Sequence, residues 1–129
     1  MAIELKLLGA SVLLGLLYIV IAVGLATKVR GLQWNAGNRD GDVKPLTGAA
    51  GRAQRASSNF LETYPLFVAA VLAVVLAGKT SAYTALGVQL YFWARFIYLP
   101  VYIMGITYVR TVVWVVSVIG LLLVAWGLF

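Results

Sequence analysis

The stretch RAQRASSNFLETYPLF, residues 52–67, carries polar side chains directly into an apolar segment of the chain. Four of these residues are spaced three, four and three positions apart, which places them on one face of an α-helix. They are Arg52, Arg55, Asn59 and Glu62. A charged group inside a bilayer is costly, roughly 3 kcal/mol near the centre, so a stripe of this kind predicts a functional or structural role.

Composition decides the environment of the chain. Of its 129 residues, 63% are hydrophobic and 11% are charged. A soluble domain of this length cannot bury so much apolar side chain, so we expect an integral membrane protein. The net charge of +6 suits anionic lipid or an anionic small molecule. Nucleic acid is the poorer interpretation, because the basic residues are scattered.

The chain contains no cysteine and no histidine. This excludes disulfides, thiolate metal sites and a cysteine nucleophile. It also argues against a zinc enzyme and against a serine–histidine hydrolase, since histidine is the commonest general base and metal ligand. We therefore expect no metal cofactor.

Four apolar segments predict an all-α integral membrane four-helix bundle in a single domain, residues 1–129. A hydrocarbon core of ~30 Å requires roughly 20 helical residues for each crossing. The first segment is long for the apolar part of a signal peptide and lacks a convincing cleavage site, so it is interpreted as a span. The predicted spans are about 5–27, 48–77, 82–104 and 109–129, with a loop at about 28–47.

Basic residues predict the orientation of these spans, because they concentrate in cytoplasmic loops. One end of the bundle holds most of them: Lys28, Arg30, Arg39, Lys44, Arg52, Arg55 and Arg110. The opposite end has only Lys6 and Lys79. We expect the long loop to face the cytoplasm and both termini to lie on the non-cytoplasmic side.

A second polar stripe lies on the third predicted span, at Tyr91, Arg95, Tyr98 and Tyr102, and the fourth span opens with Arg110, Thr111 and Trp114. Arg95 can reach the same depth as Glu62, so an ion pair between them is predicted. Arginine forks suit carboxylates, and a buried carboxylate suits an ammonium group. These side chains predict a cytoplasmic-side pocket for a small, mainly anionic ligand that also carries an amine.

Other interpretations use the same residues. Trp93, Trp114 and Trp126 are typical of the aromatic belt at membrane interfaces. The polar stripes are also compatible with a network that only fixes helix packing. The alternative function is therefore a non-catalytic membrane bundle that binds a lipid headgroup, a thiol or a partner helix.

Two segments resemble one family. RAQRASSNFLETYPLF and ARFIYLPVYIMGITYVRTVVW, residues 94–114, are similar to motifs of the MAPEG family, the membrane-associated proteins in eicosanoid and glutathione metabolism. The similarity covers nearly the whole chain and includes small bacterial-type members. It implies a homotrimer, placed here in a bacterial inner membrane, with glutathione as cosubstrate between neighbouring protomers near the cytoplasmic face.

The resemblance also implies roles for individual residues. Arg110 matches the arginine that stabilises the glutathione thiolate, and Thr111 lies where a second hydrogen-bond donor occurs. Lys28 or Arg30 is the nearest counterpart of a first-helix arginine. The glutathione-binding positions correspond to Arg52, Arg55, Asn59, Glu62, Arg95, Tyr98 and Tyr102.

The implied activity is that of a glutathione transferase or peroxidase. A free thiol has a pKa of about 8.5, and a nearby guanidinium in a site of low dielectric favours its anion. The thiolate attacks a lipophilic electrophile or reduces a hydroperoxide. The sequence departs from some synthases at Ala56, Ser57, Ser58 and Trp114, and the eicosanoid substrates are not carried over.

Overall fold

The computed structural model describes all 129 residues and contains only helices and their connections, without strands. The predicted all-α class is confirmed. The helices are α1 Ile3–Arg30, α2 Leu32–Ala36, α3 Gly48–Leu76, α4 Ala82–Ile103 and α5 Thr107–Trp126. α2 is a five-residue helix inside the segment for which the sequence predicted irregular chain.

Three helices, α1, α3 and α5, are long and apolar enough to cross a membrane by length and composition. Together with the exposed apolar side chains of α1 and α5, among them Leu13, Val20, Val112 and Leu122, this identifies an integral membrane protein. α4 has 22 residues and is not among the three. Its polar side chains point largely inward, since Thr84, Tyr91, Arg95 and Tyr98 are all buried.

A ladder of stacked aromatic rings runs through the core. Tyr18 of α1 stacks on Phe60 of α3, followed by Tyr64, Phe67 and finally Tyr91 of α4. Successive ring centroids lie 4.6, 4.8, 6.3 and 4.0 Å apart. The three α3 rings share one helical face, as their spacing of four and three requires. Stacking of this kind adds about 0.5–1.5 kcal/mol per pair beyond area burial and joins three helices.

α4 and α5 form a close hairpin. A Cβ added at Gly120 would lie 2.6 Å from the carbonyl oxygen of Gly87, and one added at Gly87 would lie 2.7 Å from that of Gly120. The two backbones therefore touch, which only glycine permits at both positions. The connecting turn contains Gly105 at φ +77°, a left-handed conformation that also favours glycine. This hairpin brings Tyr102, near the end of α4, close to Arg110 in the first turn of α5.

Candidate functional site

A cationic cavity of about 380 Å³ lies where α3 begins, α4 ends and α5 begins. Its lining contains three arginines and no acidic residue. The lining residues are Arg52, Arg55, Tyr102, Gly105, Ile106, Thr107 and Arg110. We refer to it as the arginine cavity. Three positive groups without a carboxylate favour an anionic occupant.

Two of these arginines are held by contacts within the chain. Arg52 is half-buried, and its Nε donates to the backbone carbonyl of Ile103 at 2.7 Å, which satisfies one of the free carbonyls at the end of α4. Arg55 is exposed, and its Nε donates to the Tyr102 hydroxyl at 3.3 Å. The Arg110 guanidinium lies over the ring of the same tyrosine, 4.7 Å from the centroid of the Tyr102 ring. Tyr102 thus contacts both guanidiniums, that of Arg55 through its hydroxyl and that of Arg110 through its ring.

Arg110 also borders a second, smaller cavity of about 230 Å³. The other lining residues are Asn59, Tyr98, Thr111 and Trp114, and again none is acidic. We refer to it as the threonine cavity. Arg110 is the one residue that lines both cavities. A ligand that extends from one cavity into the other would therefore pass its guanidinium.

Arg95 lines neither cavity, because it is completely buried. Its Nη1 donates to Asn59 Oδ1 at 2.7 Å, and its Nη2 donates to Thr63 Oγ1 at 3.0 Å. The guanidinium lies 4.9 Å from the ring centroid of Tyr98 and 5.7 Å from that of Tyr91. Hydrogen bonds and aromatic faces thus stabilise a buried charge for which no carboxylate is provided.

The predicted ion pair between Glu62 and Arg95 is wrong. Arg95 turns toward Asn59 and Thr63, whereas Glu62 is exposed on the outer surface of α3. Similar depth in the membrane does not bring two side chains together when they point in different directions around their helices. Glu62 lies outside both cavities of the single chain.

The remaining site residues divide between the two cavities. Arg52, Arg55 and Tyr102 lie in the arginine cavity, and Asn59, Tyr98 and Thr111 in the threonine cavity. The residues of the predicted stripe on α3 therefore lie in three different places. Arg52 and Arg55 line the arginine cavity, Asn59 lines the threonine cavity, and Glu62 lies on the outer surface. The side chains of Ser57 and Ser58 line a third cavity elsewhere, and Ala56 is buried in the core.

The third cavity, of about 210 Å³, lies between α1, α2 and α3, and the sequence did not predict it. Arg30 and Arg39 both stack on Trp34 of α2, with guanidinium-to-centroid distances of 4.8 and 5.3 Å. Arg30 Nε also donates to the backbone carbonyl of Lys44 at 2.9 Å. Arg30 therefore does not line the arginine cavity. Helical spacing does not predict this contact, because Arg30 ends α1 and Trp34 lies in α2, beyond Gly31 at φ +93°.

No group of three or more histidine, cysteine, aspartate or glutamate side chains converges anywhere in the chain. The candidate site is thus built from guanidiniums, hydroxyls, an amide and aromatic rings. Such a set can bind an anion and stabilise negative charge on it.

The helices and the cavities describe an integral membrane protein with a cationic site, and the sequence of this chain matches a known family. Residues 7–129 match the model of the MAPEG family, which confirms the resemblance seen in the two motifs. The chain belongs to the MAPEG family. No curated protein and no solved structure matches it.

Proposed function

We propose that the protein is a glutathione-dependent membrane enzyme. It transfers glutathione to a lipophilic electrophile, or reduces a lipophilic hydroperoxide, through a thiolate stabilised by arginine. The observation that carries the proposal is the position of Arg110, which lines two adjoining cavities that contain no acidic residue. Family membership supports a glutathione-related role at a membrane.

Binding uses the charges of the tripeptide. Arg52 and Arg55 attract its carboxylates in the arginine cavity, and the Tyr102 hydroxyl orients Arg55. Glu62 receives the amino group. Because Glu62 is exposed and lies outside both cavities of one chain, the amino group reaches it at a contact between protomers of a homotrimer. The single chain therefore holds only part of the complete site.

The chemistry places negative charge on sulfur. The thiol proton leaves to solvent, and the Arg110 guanidinium stabilises the thiolate, with the Thr111 hydroxyl as a second donor. For conjugation, the sulfur forms a bond to an electrophilic carbon and the leaving group departs with its electron pair. For peroxide reduction, the sulfur takes one peroxide oxygen, the alcohol leaves, and a second glutathione yields the disulfide and water. No histidine is needed, because the cation supplies the activation.

The lipophilic substrate arrives from the membrane. An apolar groove of about 440 Å³ lies between α4 and α5, and eight of its nine lining residues are hydrophobic. Val112 and Val113 of this groove directly follow Thr111 in the chain. The same two helices thus border both the apolar groove and the threonine cavity, which supports lateral entry of an apolar substrate.

The topology that we propose has four spans, with α4 crossing the membrane as the third of them. α4 is 22 residues long, about 33 Å at the helical rise. Its contact with α5 is the most extensive between any two helices of the chain. The arginine cavity then faces the cytoplasm, with both termini on the opposite side, because the basic loop lies at that end. The membrane is the bacterial inner membrane.

Thermal unfolding and a conjugation assay test the proposal together. We expect millimolar glutathione to raise the Tm of the protein purified in detergent, since it binds only the folded chain. We expect conjugation of glutathione to an aryl halide to be lost in Arg110→Ala while most of the glutathione-induced rise in Tm is retained.

Lys6→Ala is the matched control, because it removes one exposed positive charge from α1 outside all the lined cavities. It should leave both readouts unchanged. If glutathione raises the Tm but no electrophile or hydroperoxide is consumed, the protein binds the thiol without catalysis. If glutathione leaves the Tm unchanged, the site does not take this ligand and the proposal is wrong.

A further inference from the structure

The buried guanidinium of Arg95 contacts a residue of the candidate site without belonging to it. Arg95 is 0% exposed and lines no cavity, whereas Asn59, which accepts its Nη1 hydrogen bond at 2.7 Å, lines the threonine cavity. The side chain of Asn59 therefore has one end in the core and the other at the cavity.

The chemistry of arginine settles which end is which. A guanidinium carries only donors, so the atom of Asn59 that faces it must be the amide oxygen and not the nitrogen. The bond to Arg95 is the one hydrogen bond that the Asn59 side chain makes within the protein. Its NH₂ group is left without an internal acceptor, beside a cavity that also contains Arg110 and Thr111.

We infer that Arg95 is a positioning residue, which holds the amide of Asn59 so that its NH₂ group donates to an anionic atom of the ligand in the threonine cavity. This inference rests on the proposed function for the identity of the ligand, the anionic tripeptide thiol. Arg95 touches neither the ligand nor the reacting atoms. Without it, the amide could rotate by half a turn and present its oxygen, an acceptor, to the same anion.

Asn59→Asp separates the two ends of the amide. The substitution keeps the shape and retains an oxygen toward Arg95, now as a charged pair, but it replaces the NH₂ donor by a second oxygen that repels an anion. We expect the Tm without ligand to stay close to that of the wild type and the KM for glutathione to rise roughly tenfold or more. Asn59→Leu, which offers Arg95 no acceptor, should lower the Tm by several degrees.

Thr63→Val is the control for damage to the network alone. Thr63 accepts the other Arg95 hydrogen bond at 3.0 Å but lines neither cavity. Its loss should lower the Tm and leave the KM for glutathione within about twofold of the wild type. Arg95 itself should show the conservative pattern: Arg95→Lys, which has donors only, should retain a lower KM than Arg95→Gln, which can accept from Asn59 and turn its amide.

The two proposals fail in different ways. If the wild type does not bind glutathione, the proposed function is wrong, while the Tm values of Asn59→Asp and Asn59→Leu still test the orientation of the amide. The inference is overturned if Asn59→Asp unfolds as readily as Asn59→Leu. It is also overturned if Asn59→Asp binds glutathione like the wild type, or if Thr63→Val raises the KM as much as Asn59→Asp.

Discussion

Two arginines of neighbouring helices occupy opposite kinds of surroundings. Arg95 on α4 is fully buried and is held by an amide, a hydroxyl and two aromatic rings. Arg110 on α5 is half-buried, stacks on one tyrosine and faces two cavities. A buried cation whose hydrogen bonds go to groups of the protein contributes to the fold, whereas a cation that borders two cavities is available to a ligand. The number of arginines in a membrane segment thus says less about function than the acceptors around each.

The strongest test of this contrast is Arg110→Ala. If the guanidinium stabilises the thiolate, its loss should lower kcat by about 100- to 1,000-fold, the cost of removing one donor that acts in the transition state. The unfolding free energy should change by about 1 kcal/mol, because no carboxylate pairs with Arg110 and its contact with the half-buried Tyr102 ring is a cation–π interaction. Steady-state kinetics and chemical denaturation of the same preparation measure both. If Arg110→Ala instead loses much of its stability and keeps its kcat, Arg110 stabilises the fold and does not act on the thiolate.

Arg95→Met should show the reverse pattern. The substitution leaves Asn59 Oδ1 without its donor and Thr63 with one fewer bond inside the core, which costs about 2–3 kcal/mol of unfolding free energy. Denaturation in detergent measures the loss. Thr111→Val, which removes a hydroxyl from the exposed wall of the threonine cavity, is the comparison and should be nearly neutral for stability. Equal stability of the two variants would contradict a structural role for Arg95.

The sequence predicted part of the arrangement around these two arginines, but it did not predict the burial of Arg95. Helical spacing is enough to place Arg55 and Asn59 on one face of α3, and the short turn before α5 makes the approach of Tyr102 to Arg110 expected. The inward rotation of Arg95 was not predictable in the same way. It depends on how α4 turns about its axis, which the contact of Gly87 with Gly120 helps to set.

The sequence also failed to predict two other side-chain arrangements. The spacing rules apply within one helix, so they correctly identified the stripe on α3 and wrongly paired Glu62 with Arg95 across two helices. Trp34 was missed for a different reason, since its short helix α2 lies among glycines and asparagines typical of irregular chain. The long helices α1, α3, α4 and α5 were thus predictable from local pattern, whereas the short helix α2 and the side-chain partners across helices were not.

Gly120→Ala probes the contact that holds the two arginines at their present separation. The added Cβ would meet the Gly87 carbonyl oxygen and the Tyr91 nitrogen, both at 2.6 Å, so α5 must shift away from α4 at a cost of about 2 kcal/mol. We expect a lower Tm together with weaker glutathione binding, because the core and the cavity share this hairpin. Gly9→Ala, where a Cβ has no neighbour within 4 Å, is the matched control. If Gly120→Ala leaves both readouts unchanged, α4 and α5 are not fixed by this contact.

Arg52 combines a position in a cavity with a hydrogen bond inside the protein, and its substitution has the smallest expected effect on stability and on affinity. It lines the arginine cavity, yet its Nε donates to the Ile103 carbonyl at the end of α4. Arg52→Lys keeps the charge but loses the Nε donor and the fork, so we expect about 1 kcal/mol less stability and glutathione affinity within about threefold of the wild type. Denaturation and calorimetric titration measure the two quantities. If stability is unchanged and the affinity for glutathione falls strongly, Arg52 serves the ligand and not the fold. Arg52 would then group with the ligand-binding Arg110 and not with the structural Arg95.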